Sequence, residues 1–241
     1  MLALLYDWHN HLCLEAQNAD LDYLTAWIKH YSGSRVLVGG CGTGRVAAAL
    51  CRAGFQVTGV DIDPHRLARA ALADPNLEVV EADLCFFSSS SRFDVTILPY
   101  SVIQLVPPGH ALKSLASSIA AVSSHHVIVD VSDHFAQKVS HDWRVTLDAP
   151  CHELNARVVE LQKVDRHVDH LQLFVRYLFD ECRIELMEKW YFHEDDYLRS
   201  VFTDAGMTLR RFERGYGDDQ TTHRRIYHFQ VNLCEREPLA K

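Results

Sequence analysis

The segment Val36-Leu37-Val38-Gly39-Gly40-Cys41-Gly42-Thr43-Gly44-Arg45 constrains this chain more than any other. An apolar run enters a turn with glycines at alternate positions, Gly40, Gly42 and Gly44. The helix-forming run Val46-Ala47-Ala48-Ala49-Leu50 follows at once. A strand that turns on glycine into a helix lets a ligand lie against bare backbone, because no Cβ blocks the approach. A second apolar run, Gln56–Val60, ends in Asp61. An acid at the end of the next strand, about 20 residues beyond the turn, suits hydrogen bonds from ribose hydroxyls. Turn and acid together point to an adenosine-containing cofactor.

The spacing narrows the choice. A dinucleotide turn, G-x-G-x-x-G, needs its third glycine where Arg45 stands. A phosphate loop needs Lys-Ser or Lys-Thr after its last glycine, and Arg45-Val46 is neither.

The same strand–helix rhythm continues. Strands are expected at Arg35–Val38, Gln56–Val60, Leu77–Glu81, Phe93–Leu98 and His126–Val131. Helices are expected at Arg45–Ala53, His65–Ala73 (opened by Pro64) and Gly109–Val122. Such alternation predicts an α/β, doubly wound, mostly parallel sheet. Upstream, residues 8–31 read as helix interrupted near Asn18, with Asp20 as a cap for the second part. After residue 131 the pattern changes. Arg157–Val164, His167–Tyr177 and Cys182–Tyr191 alternate like antiparallel strands, with turns at Asp165-Arg166 and Phe179-Asp180-Glu181. A helix at Glu194–Gly206 and strands at Thr208–Glu213 and Arg225–Leu233 close the chain. The expected division is one domain, 1–241, with an N-terminal helical lid at 1–32 and an antiparallel β insertion at 135–192 over the cofactor crevice.

The chain has 241 residues, 48% of them hydrophobic, enough for one sizeable core. A net charge of -8 without a basic stripe argues against a nucleic-acid partner. No window approaches a membrane span, and the first residues lack the basic start of a signal peptide. Seven cysteines without a C-x-x-C pair read as reduced thiols in a cytoplasmic protein. The fifteen histidines are scattered, with no metal-site spacing, so no metal is expected.

Gly40-Cys41-Gly42-Thr43-Gly44 resembles the first motif of the class I S-adenosylmethionine-dependent methyltransferases at every place. It departs from that pattern at Val38, where the family carries Asp or Glu. The resemblance extends to Glu81-Ala82-Asp83-Leu84, to Phe93-Asp94-Val95-Thr96-Ile97-Leu98, and to the late segment Tyr191–Met207 with its Ala205-Gly206-Met207 turn. Leu5-Tyr6-Asp7 looks like the lid of small-molecule methyltransferases of the glycine/sarcosine and amino-sugar N-methyltransferase types. The resemblance covers roughly residues 1–131 and 190–233.

It implies a Rossmann-like seven-stranded sheet with the last strand antiparallel, and S-adenosyl-L-methionine as cofactor, leaving S-adenosyl-L-homocysteine as product. The implied cofactor-binding residues are Tyr6, Gly40, Cys41, Gly42, Gly44, Asp61, Ile62, Asp83, Leu84 and Leu98. The activity implied is methyl transfer to a nitrogen or oxygen of a small polar metabolite. Two alternatives stay open: non-methyl chemistry of the same cofactor, such as cyclisation of its aminobutyrate arm with release of methylthioadenosine, and a non-catalytic partner subunit.

Acceptor-side groups should follow the strand ends that face the crevice. The catalytic candidates are His134, as general base because its ordinary pKa lies near neutrality, and Tyr100. The substrate-binding candidates are Ser101, Gln104, Asp133, Trp143 and Tyr177. Tyr177 and its neighbour Arg176 must point to opposite faces of their strand. Arg224-Arg225 reads as a solvated pair. The small-molecule acceptor is the expected partner, and an exposed edge of the insertion could pair two copies as a homodimer.

Overall fold

The computed structural model describes residues 1–14, 19–31, 34–133, 140–216 and 223–232. Helices α1 (Leu2–Leu14) and α2 (Ala19–His30) precede β1 (Arg35–Gly39), α3 (Arg45–Arg52), β2 (Gln56–Asp61), α4 (Pro64–Ala73) and β3 (Glu78–Glu81). Then come β4 (Phe93–Leu98), a 3-10 turn at Val102–Leu105, α5 (His110–Val122) and β5 (Ser123–Ser132). Four strands follow: β6 (Ser140–Cys151), β7 (Ala156–Arg166), β8 (His170–Phe179) and β9 (Cys182–Tyr191). Helix α6 (Asp195–Asp204) and strands β10 (Met207–Arg214) and β11 (Arg224–Val231) end the described chain.

Seven strands form one sheet in the order β10-β11-β5-β4-β1-β2-β3. All its pairs are parallel except those made by β11, which runs antiparallel to β5 and β10. Period-2 alternation sends successive side chains to opposite faces. Val36, Val38, Val95 and Ile97 join α2, α3 and α4 in one apolar cluster. Leu37, Leu98, Val127 and Val129 join α5 and α6 in another. Chain order reverses between β1 and β4, so a crevice opens at their carboxyl ends, where ligands of open α/β sheets bind.

Local chemistry fixes several ends. Asp63 caps α4 by accepting from the backbone N–H groups of His65 and Arg66, and Pro64 supplies the first helical residue. Strand β5 starts at Ser123, three residues before its expected start. The Ser123 hydroxyl is buried, 2.7 Å from Thr96 Oγ1 and 2.7 Å from the Ile119 carbonyl. Those bonds carry a polar stretch straight from α5 into the sheet. Asp20 does not cap α2. It lies within the first turn and turns both carboxylate oxygens to Arg45.

The insertion is a second, four-stranded antiparallel sheet, β6-β7-β8-β9, one strand larger than the periodicity predicts. The extra strand, β6, lies at the edge and contains Pro150, which an edge tolerates. The β7–β8 turn also falls later than expected: Asp165 and Arg166 still pair with Gln172 and Leu171. One face of this sheet packs on α1 through Leu5, Trp8, Leu173, Val175 and Tyr177. No described helix is long and apolar enough to cross a membrane.

The three turn glycines do different work. A Cβ on Gly40 would lie 2.1 Å from Val102 Cγ2, and one on Gly44 would lie 3.0 Å from the Ala70 backbone. These two glycines let the 3-10 turn and α4 pack closely. A Cβ on Gly42 would meet only the Tyr6 ring, at 3.6 Å. Gly40 and Gly54 both have positive φ, but nothing lies near a Cβ on Gly54. Backbone strain is therefore common to both alanine variants, and only Gly40→Ala overpacks. Gly40→Ala is expected to be less stable than Gly54→Ala by about 1–3 kcal/mol in urea denaturation; equal stabilities would contradict the packing role.

Candidate active site

The crevice is floored by the glycine turn. Gly42 N–H donates to Asp61 Oδ2 at 2.7 Å, and Asp63 N–H donates to Asp61 Oδ1 at 3.0 Å. Asp61 thus ties the β1 turn to the β2 end. Each carboxylate oxygen keeps a second lone pair for a ribose hydroxyl. Cys41 N–H donates to the Val60 carbonyl at 2.9 Å, which pins the turn again. The Cys41 side chain points away, to within packing distance of Gly59. Burial first, then the Asp61 carboxylate, pushes its thiol up to about 12, so it stays a neutral packing group.

Beyond Asp61, Ile62 is 67% exposed, and past β3 so is Phe86, at 76%. Asp83 stands exposed at the same end and accepts from Cys85 N–H at 2.8 Å. Exposed apolar side chains and a carboxylate past adjacent strand ends suit a flat, amine-bearing ring. Phe86 was not singled out by the sequence, although it is the one aromatic side chain left in the open just past the Asp83 motif among the described residues. Leu84 and Leu98 are buried in the core and crowd Gly39 from below. Only their backbone can border the crevice.

Helix α1 roofs the turn. Tyr6 lies over Gly42, and the Arg66 guanidinium stacks on the Tyr6 ring, 4.5 Å from its centre. Arg69 of α4 pairs with Asp7 and, at 3.0 Å, with Glu153, joining α1, α4 and the β6–β7 turn. Arg66 also lies 3.9 Å from Glu188 on β9, and Trp190 Nε1 donates to Glu188 at 3.2 Å. On the same sheet face Glu160 is fully buried. It accepts from Thr146 Oγ1 at 2.7 Å and Gln162 Nε2 at 2.8 Å, and lies 2.7 Å from His9 Nδ1. Burial, then Glu160, raises the Tyr177 phenol above its ordinary range. Tyr177 packs edge-on against Trp8.

Several acceptor-side expectations change. Gln104 is used up by the backbone: it donates to the Ser132 carbonyl at 3.1 Å and accepts from Ser132 N–H at 2.8 Å. Ser101 is buried and accepts from Arg224 at 2.8 Å. Asp133 is engaged by Arg225 at 2.8 Å. All three follow a strand end, but hydrogen bonds turn Gln104 and Ser101 into the fold and Asp133 is held by Arg225. Trp143 stacks under Arg176, 3.8 Å from its guanidinium, on the face opposite Tyr177. It therefore shares no wall with Tyr177, which is the one of the 176/177 pair that faces α1. Arg224 and Arg225 are not solvated. Their side chains are 16% and 11% exposed and pair with Asp130 and with Asp133 and Asp195. His134 lies outside the described residues. Burial is the largest effect on Tyr100, whose phenol is pushed up to about 12 despite Arg224 and Arg45 pulling it down. It is protonated at neutral pH and carries an O–H donor.

Comparisons with known proteins agree with this geometry. Residues 36–122 match a family model described as a methyltransferase domain. Among curated proteins, "Putative methyltransferase GWCH70_2453" of Geobacillus sp. (strain WCH70) is 25% identical over 234 residues, covering 88% of this chain and 91% of that protein. Among solved structures, the sugar N-methyltransferase KedS8 from Streptoalloteichus sp ATCC 53650 superposes with a TM-score of 0.79 at 17% identity, covering 95% of this chain and 93% of its own. S-adenosylmethionine-bound CalS10, an amino pentose methyltransferase from Micromonospora echinaspora, gives 0.77 at 14% identity, covering 95% of this chain and 97% of its own. The methyltransferase-domain match lies over the glycine turn, and the chain shares the fold of these S-adenosylmethionine-dependent methyltransferase structures.

Proposed function

We propose that the protein moves the methyl group of S-adenosyl-L-methionine to a nitrogen or oxygen of a small polar metabolite. The observation that carries this reading is the roof: Tyr6 sits directly over Gly42, and α1 joins it to the inner face of the second sheet. A crevice roofed this closely suits a small acceptor. The sugar N-methyltransferase and the amino pentose methyltransferase that share the fold support the same class.

When bound, the cofactor supplies an electrophilic methyl carbon on a sulfonium. The chain's own residues supply position. Asp61 and the Gly42 backbone hold the ribose side, and Ile62, Asp83 and Phe86 hold the ring side. Tyr6 and Arg66 close the turn from above and exclude water. On the acceptor side, Tyr177, Glu188 and Trp190 offer aromatic faces and a carboxylate, a combination that favours a cationic or hydroxyl-rich molecule. Holding donor and acceptor in near-attack geometry can supply much of the rate enhancement of a displacement of this kind.

Calorimetry with S-adenosylhomocysteine tests the cofactor, and saturable binding is expected; no heat at millimolar ligand would overturn the proposal. Incubation with methyl-labelled cofactor and a small-molecule extract tests the reaction. Label is expected in an acceptor from the extract. Methylthioadenosine released from enzyme and cofactor alone would instead establish non-methyl chemistry.

A further inference from the structure

The crevice end at β1 and β4 contains a group of charges that the ribose and adenine contacts do not use. Arg45, the first residue of α3, directs two N–H groups at Asp20 of α2. Its guanidinium lies 5.0 Å from the centre of the Tyr100 ring. The Arg224 guanidinium lies 4.6 Å from the centre of the same ring. Arg224 is paired with Asp130 at 3.2 Å and with Ser101 Oγ at 2.8 Å. Asp130 also accepts from Tyr100 N–H at 2.9 Å and from Tyr216 Oη at 2.6 Å.

Three features separate this group from an ordinary buried network. It stands where β1 and β4 diverge, the ligand position of an open α/β sheet. Tyr100 and Ser101 both hold left-handed φ, 57° and 63°, a conformation that non-glycine residues keep at functional sites when the surroundings enforce it. The hydrogen bonding is also lopsided. Both acids are spent on partners. The Tyr100 hydroxyl makes no hydrogen bond among the described residues, and Arg45 carries five N–H donors, of which Asp20 takes two. What remains is donor capacity, which calls for an anionic acceptor. β1 itself brings no charge here: Val38 is buried in the apolar cluster with Leu24, Trp27 and Ile28.

We propose that the carboxylate of the cofactor's amino-acid arm is held at this point by the Arg45 guanidinium and the Tyr100 hydroxyl, with Asp20 as the positioning residue that aims Arg45. This rests on the proposed function and assigns the arm's binding to α2, α3 and the β4 end rather than to β1. Bidentate pairing leaves Arg45 a fixed fork with its remaining donors pre-aimed. Arg224, paired with Asp130 and Ser101 through one terminal nitrogen, serves to fix the Tyr100 ring.

Two ligands that differ only in the arm test the assignment. S-adenosylhomocysteine carries the carboxylate, and 5′-methylthioadenosine keeps the adenosine and sulfur without it. Calorimetry should show Arg45→Met weakening S-adenosylhomocysteine about 30-fold and Tyr100→Phe about 10-fold, as expected for lost hydrogen bonds to a charged group. Binding of 5′-methylthioadenosine should stay within about twofold in both variants. Arg45→Met also removes a link between α2 and α3; if it does not fold, Tyr100→Phe, which keeps ring and backbone, decides. Equal losses for the two ligands, or no loss for S-adenosylhomocysteine, overturn the assignment while the proposed function stands. Failure of the unaltered protein to bind S-adenosylhomocysteine overturns both.

Discussion

Asp61→Ala is expected to weaken S-adenosylhomocysteine binding by at least about 100-fold while leaving a folded protein. The carboxylate has two duties. Internally, it accepts from Gly42 N–H and Asp63 N–H, so it sets the distance between the β1 turn and the β2 end. Externally, its remaining lone pairs are the acceptors proposed for the ribose. Hydrogen bonds to a charged group are worth roughly 1.5–3 kcal/mol each. Losing two on the ligand, or one on the ligand and the geometry set by the other, amounts to about 3 kcal/mol, or about two decades of affinity. Asp61→Asn should fall between, since an amide keeps one acceptor but sets its own N–H against one of the two backbone donors. Calorimetry with S-adenosylhomocysteine measures the loss, and thermal melting without ligand shows that the fold persists. An alanine variant that binds within about threefold of the unaltered protein would remove Asp61 from the ribose site.

The placement of Asp61 at the glycine turn was legible in the sequence because the contact is local. The turn and the acid lie on consecutive strands, and parallel pairing of β1 with β2 places their ends side by side. The same holds for β4, whose observed bounds match its apolar run residue for residue. Legibility fails where direction, not position, decides. Ser101, Gln104 and Asp133 do follow strand ends at the crevice, yet Ser101 and Gln104 are buried in the 3-10 turn region and Asp133, still half-buried, is held by Arg225. No periodicity reports those partners. Trp143 and Tyr177 are both aromatic residues on insertion strands, and only the register of β7 and β8 shows that they occupy opposite faces. Arg45 could be read from sequence only as an obstacle to a dinucleotide, because its partner Asp20 belongs to a helix before the first strand.

The largest stability effect is expected from a residue that no local pattern marks. Glu160 and His9 are separated by 151 positions and meet at 2.7 Å beneath α1. Glu160 has no exposure to solvent, and removing it takes an acceptor from His9, half-buried Gln162 and exposed Thr146 at once. Breaking a buried charge cluster by deleting one member costs about 3–5 kcal/mol when all partners are buried. His9 keeps 30% exposure and can rehydrate, which places Glu160→Ala near the lower end, about 3 kcal/mol.

The effect should depend on pH with a definite sign. Burial pushes the Glu160 carboxyl up, but the bonds from His9, Thr146 and Gln162 outweigh it and hold the group below its ordinary value of 4.5. A carboxyl lowered in the folded state contributes stability fully above its unfolded pKa, and loses it as pH falls through the folded one. Urea denaturation should therefore separate Glu160→Ala from the unaltered protein by the full amount at pH 7. The gap should narrow as pH drops below about 4.5. A gap that is constant with pH would mean that Glu160 acts by packing alone. The variant should also release S-adenosylhomocysteine faster, because the helix that Glu160 anchors through His9 is the one that presses Tyr6 onto Gly42. An unchanged dissociation rate in a destabilised variant would separate the lid's stability from its hold on the cofactor.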